Sequence, residues 1–328
     1  MTQTSPTTRS SGGAPIAPRA DGDRPDAAYT LRVDHVTKRY GDHPVVDDLS
    51  FSVPPGRVTG FLGPNGSGKS TTMKIMLDLA AASQGRATIG EHRYRDLPDP
   101  SRTVGAMIES NAFHPGRSGR NHLRVIADAT GVDHDRVDEM LEQVGLADAA
   151  HRKAGAYSLG MRQRLGLAAA LLGEPPVLIL DEPGNGLDPQ GIRSLRDQLR
   201  ARAAVGGTVF VSSHLLSEVE HLADDVIVID RGRLVTQGSL AELQQSATLV
   251  QAVDLDRLGR ELERAGATTQ RSEPDGLIVR GMDTAEIGER AFTAGIALHE
   301  LSPSAGSLEE LFLTWTTPVS DDEVEAAS

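Results

Sequence analysis

The chain has 328 residues, a formal net charge of −13 and no cysteine. This length allows one large domain or two modest domains with their own cores. The lack of cysteine excludes disulfides, thiol catalysis and cysteine-ligated metal centres. The acidic charge argues against an extensive nucleic-acid-binding surface, so no nucleic-acid partner is expected.

The first 28 residues are rich in Ser, Thr, Pro and Gly and contain no apolar stretch of the kind a secretory signal needs. We interpret 1–28 as a disordered leader. No later stretch approaches the roughly 20 apolar residues that span a bilayer. Any role at a membrane is therefore expected to depend on a partner.

Regular structure is predicted to begin near Tyr29. Leu31, Val33 and Val36 alternate with polar residues, and a second apolar run ends at the break formed by 54–56. Two antiparallel strands joined by a turn are the simplest interpretation.

A glycine-rich turn follows the buried-strand pattern of Val58 to Leu62 and precedes a predicted helix that begins near Lys69 and continues through Thr72 to Leu79. It matches the phosphate-binding pattern G-x-x-x-x-G-K-[ST]. We expect its glycines to adopt positive φ, so that backbone N–H groups and the helix N-terminus surround an anion. Lys69 would contact phosphate oxygens and Ser70 would ligate Mg²⁺. The nucleotide-binding residues predicted here are Gly63, Pro64, Asn65, Gly66, Ser67, Gly68, Lys69, Ser70 and Thr71.

The middle of the chain alternates short strands with helices. Strands are predicted at Gly85 to Ile89 and Val104 to Ile108, followed by a helical insertion over about 111–154 and a helix at 158–173. Val177 to Leu180 and Val209 to Val211 are uninterrupted apolar runs, typical of parallel strands buried on both faces. This order predicts a doubly wound α/β core with its ligand at the carboxyl ends of the strands, and a terminal hairpin over 226–236.

Two carboxylates follow the apolar run that ends at Leu180. Asp181 is placed to hold Mg²⁺, and Glu182 to polarise a water for attack on the γ-phosphate. Their distance of about 110 residues from the phosphate loop is typical of nucleotide triphosphatases.

The composition changes near Gln244. Beyond it the pattern predicts a strand from Leu249 to Leu255, then helix, strand, strand, helix and strand, which is the βαββαβ order of a small α+β ferredoxin-like domain. A last helix is predicted from Ser307 through Trp315. We expect an accessory domain at 246–317 and a disordered acidic tail at 318–328.

From about Leu31 to Leu243 the chain resembles the ATP-binding subunits of ABC transporters, which implies a P-loop NTPase core at 29–243 that hydrolyses ATP. The resemblance identifies the phosphate loop as Walker A and Val177 to Glu182 as Walker B with its catalytic glutamate. It implies that Asp188 is the D-loop aspartate and that His214 contacts the γ-phosphate. Lys69, Glu182 and His214 are thus the implied catalytic residues, with ATP and Mg²⁺ as cofactors.

The resemblance also implies that Tyr40 stacks on adenine. An aromatic residue packed in a strand is the alternative.

The family signature Leu-Ser-Gly-Gly-Gln has a variant form here. It stands as Tyr157, Ser158, Leu159, Gly160 and Met161, similar to exporters of peptide antibiotics and related drugs. Ser158 and Gly160 still provide a hydroxyl and an N–H at a helix N-terminus, which suits phosphate binding. The contact of the usual glutamine is lost at Met161.

Glu109 stands where the family has a glutamine that touches Mg²⁺ and communicates with the membrane partner. Because a carboxylate is the stronger metal ligand, we predict that Glu109 approaches Mg²⁺. A solvated loop carboxylate is the alternative.

In this family the signature of one subunit closes over ATP bound to another. The resemblance therefore implies a dimer, most simply a homodimer, that energises a separate integral membrane permease from the cytoplasmic face. We expect the loop at Glu109 and the helical insertion to contact the permease, with export of a drug, peptide antibiotic or lipid-like compound. A soluble ABC ATPase acting on ribosomes or DNA is the alternative, although the chain lacks the tandem cassettes or long heptads of those proteins.

Overall fold

The computed structural model describes residues 29–108, 113–245, 247–272 and 276–304, together with Leu308, Glu309 and Phe312. The elements up to Gln245 are β1 (Leu31–Tyr40), β2 (His43–Val53), β3 (Val58–Leu62), α1 (Lys69–Met76), β4 (Gln84–Ile89), α2 (Pro100–Thr103), β5 (Val104–Met107), α3 (Gly119–Thr130), α4 (Asp135–Gln143), α5 (Leu159–Leu171), β6 (Val177–Asp181), α6 (Pro189–Ala204), β7 (Thr208–Ser213), α7 (Leu216–Leu222), β8 (Asp225–Asp230), β9 (Arg233–Ser239) and α8 (Leu240–Gln245).

The central sheet has six strands in the order β5-β6-β7-β3-β8-β9. All neighbours pair in parallel except β8 and β9, which form the predicted terminal hairpin. Strands β3 and β7 are buried at every position, because one face of the sheet packs against α5 and α6 and the other against α1 and β2. The predicted α/β core is therefore confirmed, with β3 and β6 on either side of β7.

A separate antiparallel sheet, in the order β2-β1-β4, covers one side of this core. Phe51 from this sheet meets Phe61 of β3 and Phe210 of β7 in a cluster of rings whose centroids lie 5.0 to 5.7 Å apart. Tilted aromatic pairs at this distance stabilise packing beyond their buried area. The cluster fixes the antiparallel sheet against β7 and against β3, the strand that leads into the phosphate loop.

Helices α3 and α4 follow β5 in the chain, while β6 returns to lie beside β5 in the sheet. Leu123, Met140 and Leu141 of these helices share one buried cluster with Leu165 of α5. The predicted helical insertion is thus packed against α5. Its first two residues, 111 and 112, lie outside the described residues.

Helix α1 is shorter than predicted. It ends at Met76 instead of Leu79, because Asp78 adopts a left-handed backbone with φ of 54° that helical geometry does not allow.

The C-terminal region contains β10 (Ala247–Ala252), α9 (Leu255–Arg264), β11 (Thr268–Ser272), β12 (Gly276–Arg280), α10 (Thr284–Thr293) and β13 (Leu298–Ser304). This is the predicted βαββαβ order, and the strands form an antiparallel sheet in the order β11-β12-β10-β13. The prediction that the first strand reaches Leu255 was wrong. Asp254 accepts a hydrogen bond from the Arg257 N–H and so begins α9 at Leu255.

Leu308, which follows β13, is fully buried in a cluster on the ATPase core. Its neighbours include Leu62, Val219 and Leu240, so the end of the C-terminal region packs against α7 and α8. Glu220 of α7 accepts hydrogen bonds from Gln244 Nε2 at 2.6 Å and from the Leu308 N–H at 3.4 Å. Among the described residues, no helix is long and apolar enough to cross a bilayer.

Candidate functional site

The glycine-rich loop connects buried β3 to the N-terminus of α1. Gly66 and Gly68 have φ of 83° and 104°, which glycine adopts without steric cost. Gly68 is the N-cap of α1 and provides no side-chain hydrogen bond to the helix. The first turn of α1 therefore has N–H groups that no side chain caps, which suits the anion site that the sequence predicts.

Gly63 does not have the positive φ that we predicted for it. A Cβ atom at this position would lie 2.4 Å from both the Ile229 carbonyl oxygen and Ser67 Oγ. Glycine is needed here for close backbone approach instead of for a special conformation.

Lys69 is buried within its own loop. Its Nζ donates to the Gly63 carbonyl at 2.6 Å and to the Pro64 carbonyl at 3.1 Å. Burial lowers the pKa of Lys69, while the charges of Glu182 and Asp181 act in the opposite direction. The ammonium thus lies within the field of both predicted Walker B carboxylates.

Other loop residues complete the cradle. Asn65 and Ser70 are exposed and Thr71 is half-buried, whereas Ser67 is buried and its hydroxyl has no hydrogen-bond partner among the described residues. A buried hydroxyl of this kind is a candidate donor to a bound phosphate.

Ser212 organises the two carboxylates. Asp181 and Ser212 are directly opposite in the parallel pair of β6 and β7. The Ser212 hydroxyl donates to Asp181 Oδ1 and accepts from the Glu182 N–H at 3.0 Å. One hydroxyl therefore fixes both the Asp181 side chain and the Glu182 backbone.

Glu182 and His214 form a close pair. Glu182 Oε2 lies 2.6 Å from His214 Nδ1, and Glu182 has a left-handed backbone with φ of 52°. Such a conformation is uncommon for a residue other than glycine and is typical of functional sites. A carboxylate oriented in this way can accept a proton from a water aligned for attack.

Glu218 lies on α7, close enough to Glu182 and His214 to be influenced by their charges. Burial, followed by the charge of Glu182, raises the pKa of Glu218, while His214 and a hydrogen bond from Ser213 act to lower it. A Cβ at Gly184 would lie 2.6 Å from Glu218 Oε2, so this carboxylate packs directly on the loop after Glu182.

The signature residues surround the N-terminus of α5. Ser158 is the N-cap, and its Oγ accepts from the Met161 N–H at 3.3 Å. Ser158 and Leu159 are exposed, and a Cβ at Gly160 would lie 2.6 Å from the Gly186 carbonyl oxygen. The signature turn therefore presents an exposed helix N-terminus and rests on the segment after Glu182.

Two side-chain hydrogen bonds also join α5 to the segment 182–188. Gln163 Nε2 donates to the Glu182 carbonyl at 2.7 Å, and Arg164 Nη2 donates to Asp188 Oδ1 at 2.8 Å. Asp188 also caps α6 by accepting from the Gly191 N–H at 3.0 Å. This N–H, followed by the nearby Arg164 charge, lowers the pKa of Asp188.

Tyr40 ends β1, and its side chain is 57% exposed. One face of its ring is occupied by Lys38 Nζ, 4.8 Å from the centroid. Val45, in the strand paired with β1, lies close enough to the phosphate loop that a Cβ at Gly68 would be 2.7 Å from its carbonyl oxygen. The Tyr40 hairpin is thus beside the loop, and a base could reach the remaining ring face.

The residues present fit a magnesium ion. Asp181 offers a carboxylate in the field of Lys69, and Ser70 offers an exposed hydroxyl at the start of α1, both of which are oxygen ligands suited to a hard cation. Glu109 lies outside the described residues, so its approach to Mg²⁺ stays a prediction, to be checked by the Mg²⁺ dependence of Glu109→Ala.

Sequence reasoning missed Ser212, Gln163 and Glu218. Ser212 and Gln163 are buried polar residues, in an apolar strand and in a helix, which is the signal that could have drawn attention to them.

Comparison with known families gives two matches. The model described as "ABC transporter" matches residues 46–185, and a domain of unknown function (DUF8746) matches residues 246–309. The second match spans the C-terminal sheet and its two helices.

Relatives extend the first match across most of the chain. An uncharacterized ABC transporter ATP-binding protein of Bacillus subtilis, YdbJ, is 35% identical over 88% of this chain and 95% of its own length. The bacitracin transport ATP-binding protein BcrA of Enterococcus faecalis is 36% identical over 87% of this chain and 95% of its own length. The daunorubicin resistance ATP-binding protein DrrA3 of Streptomyces coeruleorubidus is 33% identical over 88% of this chain and 96% of its own length.

A solved ATP-binding subunit of an ABC transporter superposes with a TM-score of 0.61 at 29% identity, covering 65% of this chain and 91% of its own. These likenesses agree with the loop around Lys69, the carboxylates after β6 and the signature turn. The chain therefore belongs to the ATP-binding proteins of ABC transporters, the subunits that hydrolyse ATP.

Proposed function

We propose that this chain couples ATP hydrolysis to the export of a drug-like or peptide-antibiotic compound through a separate membrane permease. The convergence of Lys69, Asp181, Glu182 and His214 at the carboxyl ends of three strands carries the proposal. Its chemistry is phosphoryl transfer to water, in which positioning and charge stabilisation supply most of the rate.

Each side chain has a distinct role in this proposal. Lys69 exchanges its two carbonyl partners for β- and γ-phosphate oxygens. Asp181 and Ser70 would hold Mg²⁺, which would supply charge neutralisation. Glu182 orients the attacking water and accepts its proton, while His214 keeps the Glu182 carboxylate in place. Tyr40 stacks on adenine with the ring face that Lys38 leaves open.

Dimerisation would supply the cover over the bound nucleotide that one subunit lacks. The exposed turn at Ser158 and Leu159 lies at the N-terminus of α5, a helix of 13 residues whose dipole favours a phosphate. We infer that this turn covers the nucleotide of a second copy, excluding water and adding positive field at the γ-phosphate.

The relatives named for bacitracin transport and daunorubicin resistance match most of this chain, including its C-terminal domain. This favours export over the soluble ribosome- or DNA-directed alternative. The permease would hold the chain at the cytoplasmic face of the membrane, with the helical segment around α3 and α4 as the contact. Cofractionation with membranes only when a permease is co-expressed would support this location, and membrane binding without one would contradict it.

Glu182→Gln tests the reaction. We expect a fall in kcat of about 10²- to 10⁴-fold, because the amide cannot accept the proton from water. ATP binding should persist, and a dimer should accumulate with ATP and Mg²⁺, as measured by phosphate release and light scattering.

Glu289→Gln, at an exposed position of α10, is the matched control and should leave turnover unchanged. Normal hydrolysis by Glu182→Gln would refute the assignment of the general base.

A further inference from the structure

Gln163 has a buried side-chain amide and lies in the second turn of α5, the helix that follows the signature turn. Its side chain is 2% exposed, and its Nε2 donates to the Glu182 carbonyl at 2.7 Å. Its Oε1 has no partner among the described residues. The bond to the Glu182 carbonyl therefore gives this buried side chain its orientation.

Glu182 needs such support because its left-handed backbone, with φ of 52°, is disfavoured for a residue with a side chain. Ser212 holds the N–H side of the residue through its carbonyl at 3.3 Å and its hydroxyl at 3.0 Å. Gln163 holds the carbonyl side, to which the Asn185 N–H also donates at 3.2 Å. Together these bonds fix the backbone that aims the Glu182 carboxylate.

The same helix is attached to the loop after Glu182 at two further points. Gly160 approaches the Gly186 carbonyl so closely that a Cβ would lie 2.6 Å from it. Arg164 pairs with Asp188 at 2.8 Å. The first turns of α5 and the segment 182–188 therefore form one connected unit, with Gln163 as its link to the catalytic residue.

We propose that Gln163 is a positioning residue that holds Glu182 for hydrolysis and links it to the signature turn of the same chain. The coupling rests on the proposed dimer, in which that turn covers the nucleotide of the second copy. A displacement of Glu182 at one nucleotide then moves the turn at the other. Gln163 thus joins the two sites of the dimer through a single side-chain amide.

Gln163→Leu tests the positioning role, since leucine keeps a similar volume but cannot donate. We expect kcat to fall by about tenfold to a hundredfold, the effect of displacing a catalytic group by about 1 Å. Affinity for ATP should remain within about threefold of the wild-type value, because Lys69 and the phosphate loop are untouched. Gln198→Leu is the control, since the Gln198 amide donates to Ser194 within α6.

Gln163→Met is a second variant in case leucine impairs folding, as judged by circular dichroism and thermal unfolding. The methionine side chain is unbranched like glutamine but cannot donate to the Glu182 carbonyl, so we again expect low kcat with retained ATP binding. Wild-type kcat in a folded variant at position 163 would overturn the positioning role.

Mixed dimers test the link between sites. One subunit is wild type, and the other carries Glu182→Gln alone or together with Gln163→Leu, so that only the wild-type subunit can hydrolyse ATP. We expect the double variant to lower turnover at that intact site by at least about threefold relative to Glu182→Gln alone, since it supplies a loosened signature turn.

Equal turnover in the two mixed dimers would overturn the link. If wild-type protein neither binds nor hydrolyses ATP, the proposed function fails. If wild type is active and the Gln163 variants match it, this inference alone fails.

Discussion

Ser212 illustrates how a single hydroxyl can determine the geometry of a site. It donates to the Asp181 carboxylate and accepts from the Glu182 N–H, so its loss removes one hydrogen bond from each of two groups with different roles. We expect Ser212→Ala to cost about 1–3 kcal/mol of stability, because the half-buried Asp181 carboxylate loses a hydrogen bond while the Glu182 N–H keeps only the Ser212 carbonyl. Turnover should fall by about tenfold to a hundredfold, because both carboxylates lose their alignment.

The measurements are urea unfolding and phosphate release at saturating ATP. Thr208→Val is the control, since Thr208 is fully buried at the other end of β7 and bonds the Tyr29 carbonyl at 2.7 Å. It should lower stability without lowering turnover. If Ser212→Ala retains full turnover, the hydroxyl does not align the carboxylates.

The residues of the phosphate loop and Walker B could be predicted because their roles follow from local spacing. Lys69 and Ser70 are the first two residues of α1, and Asp181 ends β6 with Glu182 directly after it. The partners of Ser212 and Gln163 lie 30 and 19 positions away in the chain. Only the strand order and the packing of α5 bring these groups together, so local patterns do not reveal them.

Helix α7 connects the nucleotide site to the C-terminal region. It begins two residues after His214, and its Val219 packs in the same cluster as Leu308. Glu220, on the same helix, bonds the Leu308 N–H and Gln244. The position of α7, and with it the residue that orients Glu182, therefore depends on contacts from beyond the ATPase core.

Leu308→Ala should weaken this attachment by about 2–5 kcal/mol, the usual cost of a cavity at a fully buried leucine. We expect faster amide hydrogen exchange in α7 (Leu216–Leu222), because the truncated side chain no longer covers it.

Leu277→Ala is the matched control. Leu277 is buried in the core of the C-terminal sheet, away from the Leu308 cluster. Leu277→Ala should accelerate amide hydrogen exchange in that sheet and leave the amides of α7 protected. Equal protection of α7 in wild type and Leu308→Ala would show that the cluster does not hold the helix.

Element boundaries were harder to predict than element types. The apolar pattern continues from Leu249 to Leu255, yet Asp254 caps a helix at that point, because its carboxylate satisfies an N–H that a strand would pair elsewhere. Helices α7 and α8 were not predicted, since they are short and lie within polar connections.

At the scale of the whole molecule, the C-terminal region completes a surface of the ATPase core. Leu308 contributes to a cluster with Leu62, Val219 and Leu240, which belong to β3, α7 and α8. A chain ending at residue 245 would expose this apolar surface. We expect it to have a lower thermal unfolding midpoint than the full chain and to self-associate.

Static light scattering and calorimetry would measure both effects. A chain ending at residue 317 is the control, because it removes only the acidic tail expected at 318–328, and it should match the full chain. A monomeric 1–245 chain with an unchanged midpoint would contradict a structural role for the C-terminal region.

The position of β7 in the central sheet also has a consequence for biosynthesis. Strand β3 carries the phosphate loop and β6 carries the two carboxylates, but they do not pair with each other, because β7 lies between them. Since β7 spans Thr208–Ser213, a nascent chain that still holds these residues inside the ribosome has no finished nucleotide site. ATP consumption thus begins only after most of the cassette has been translated.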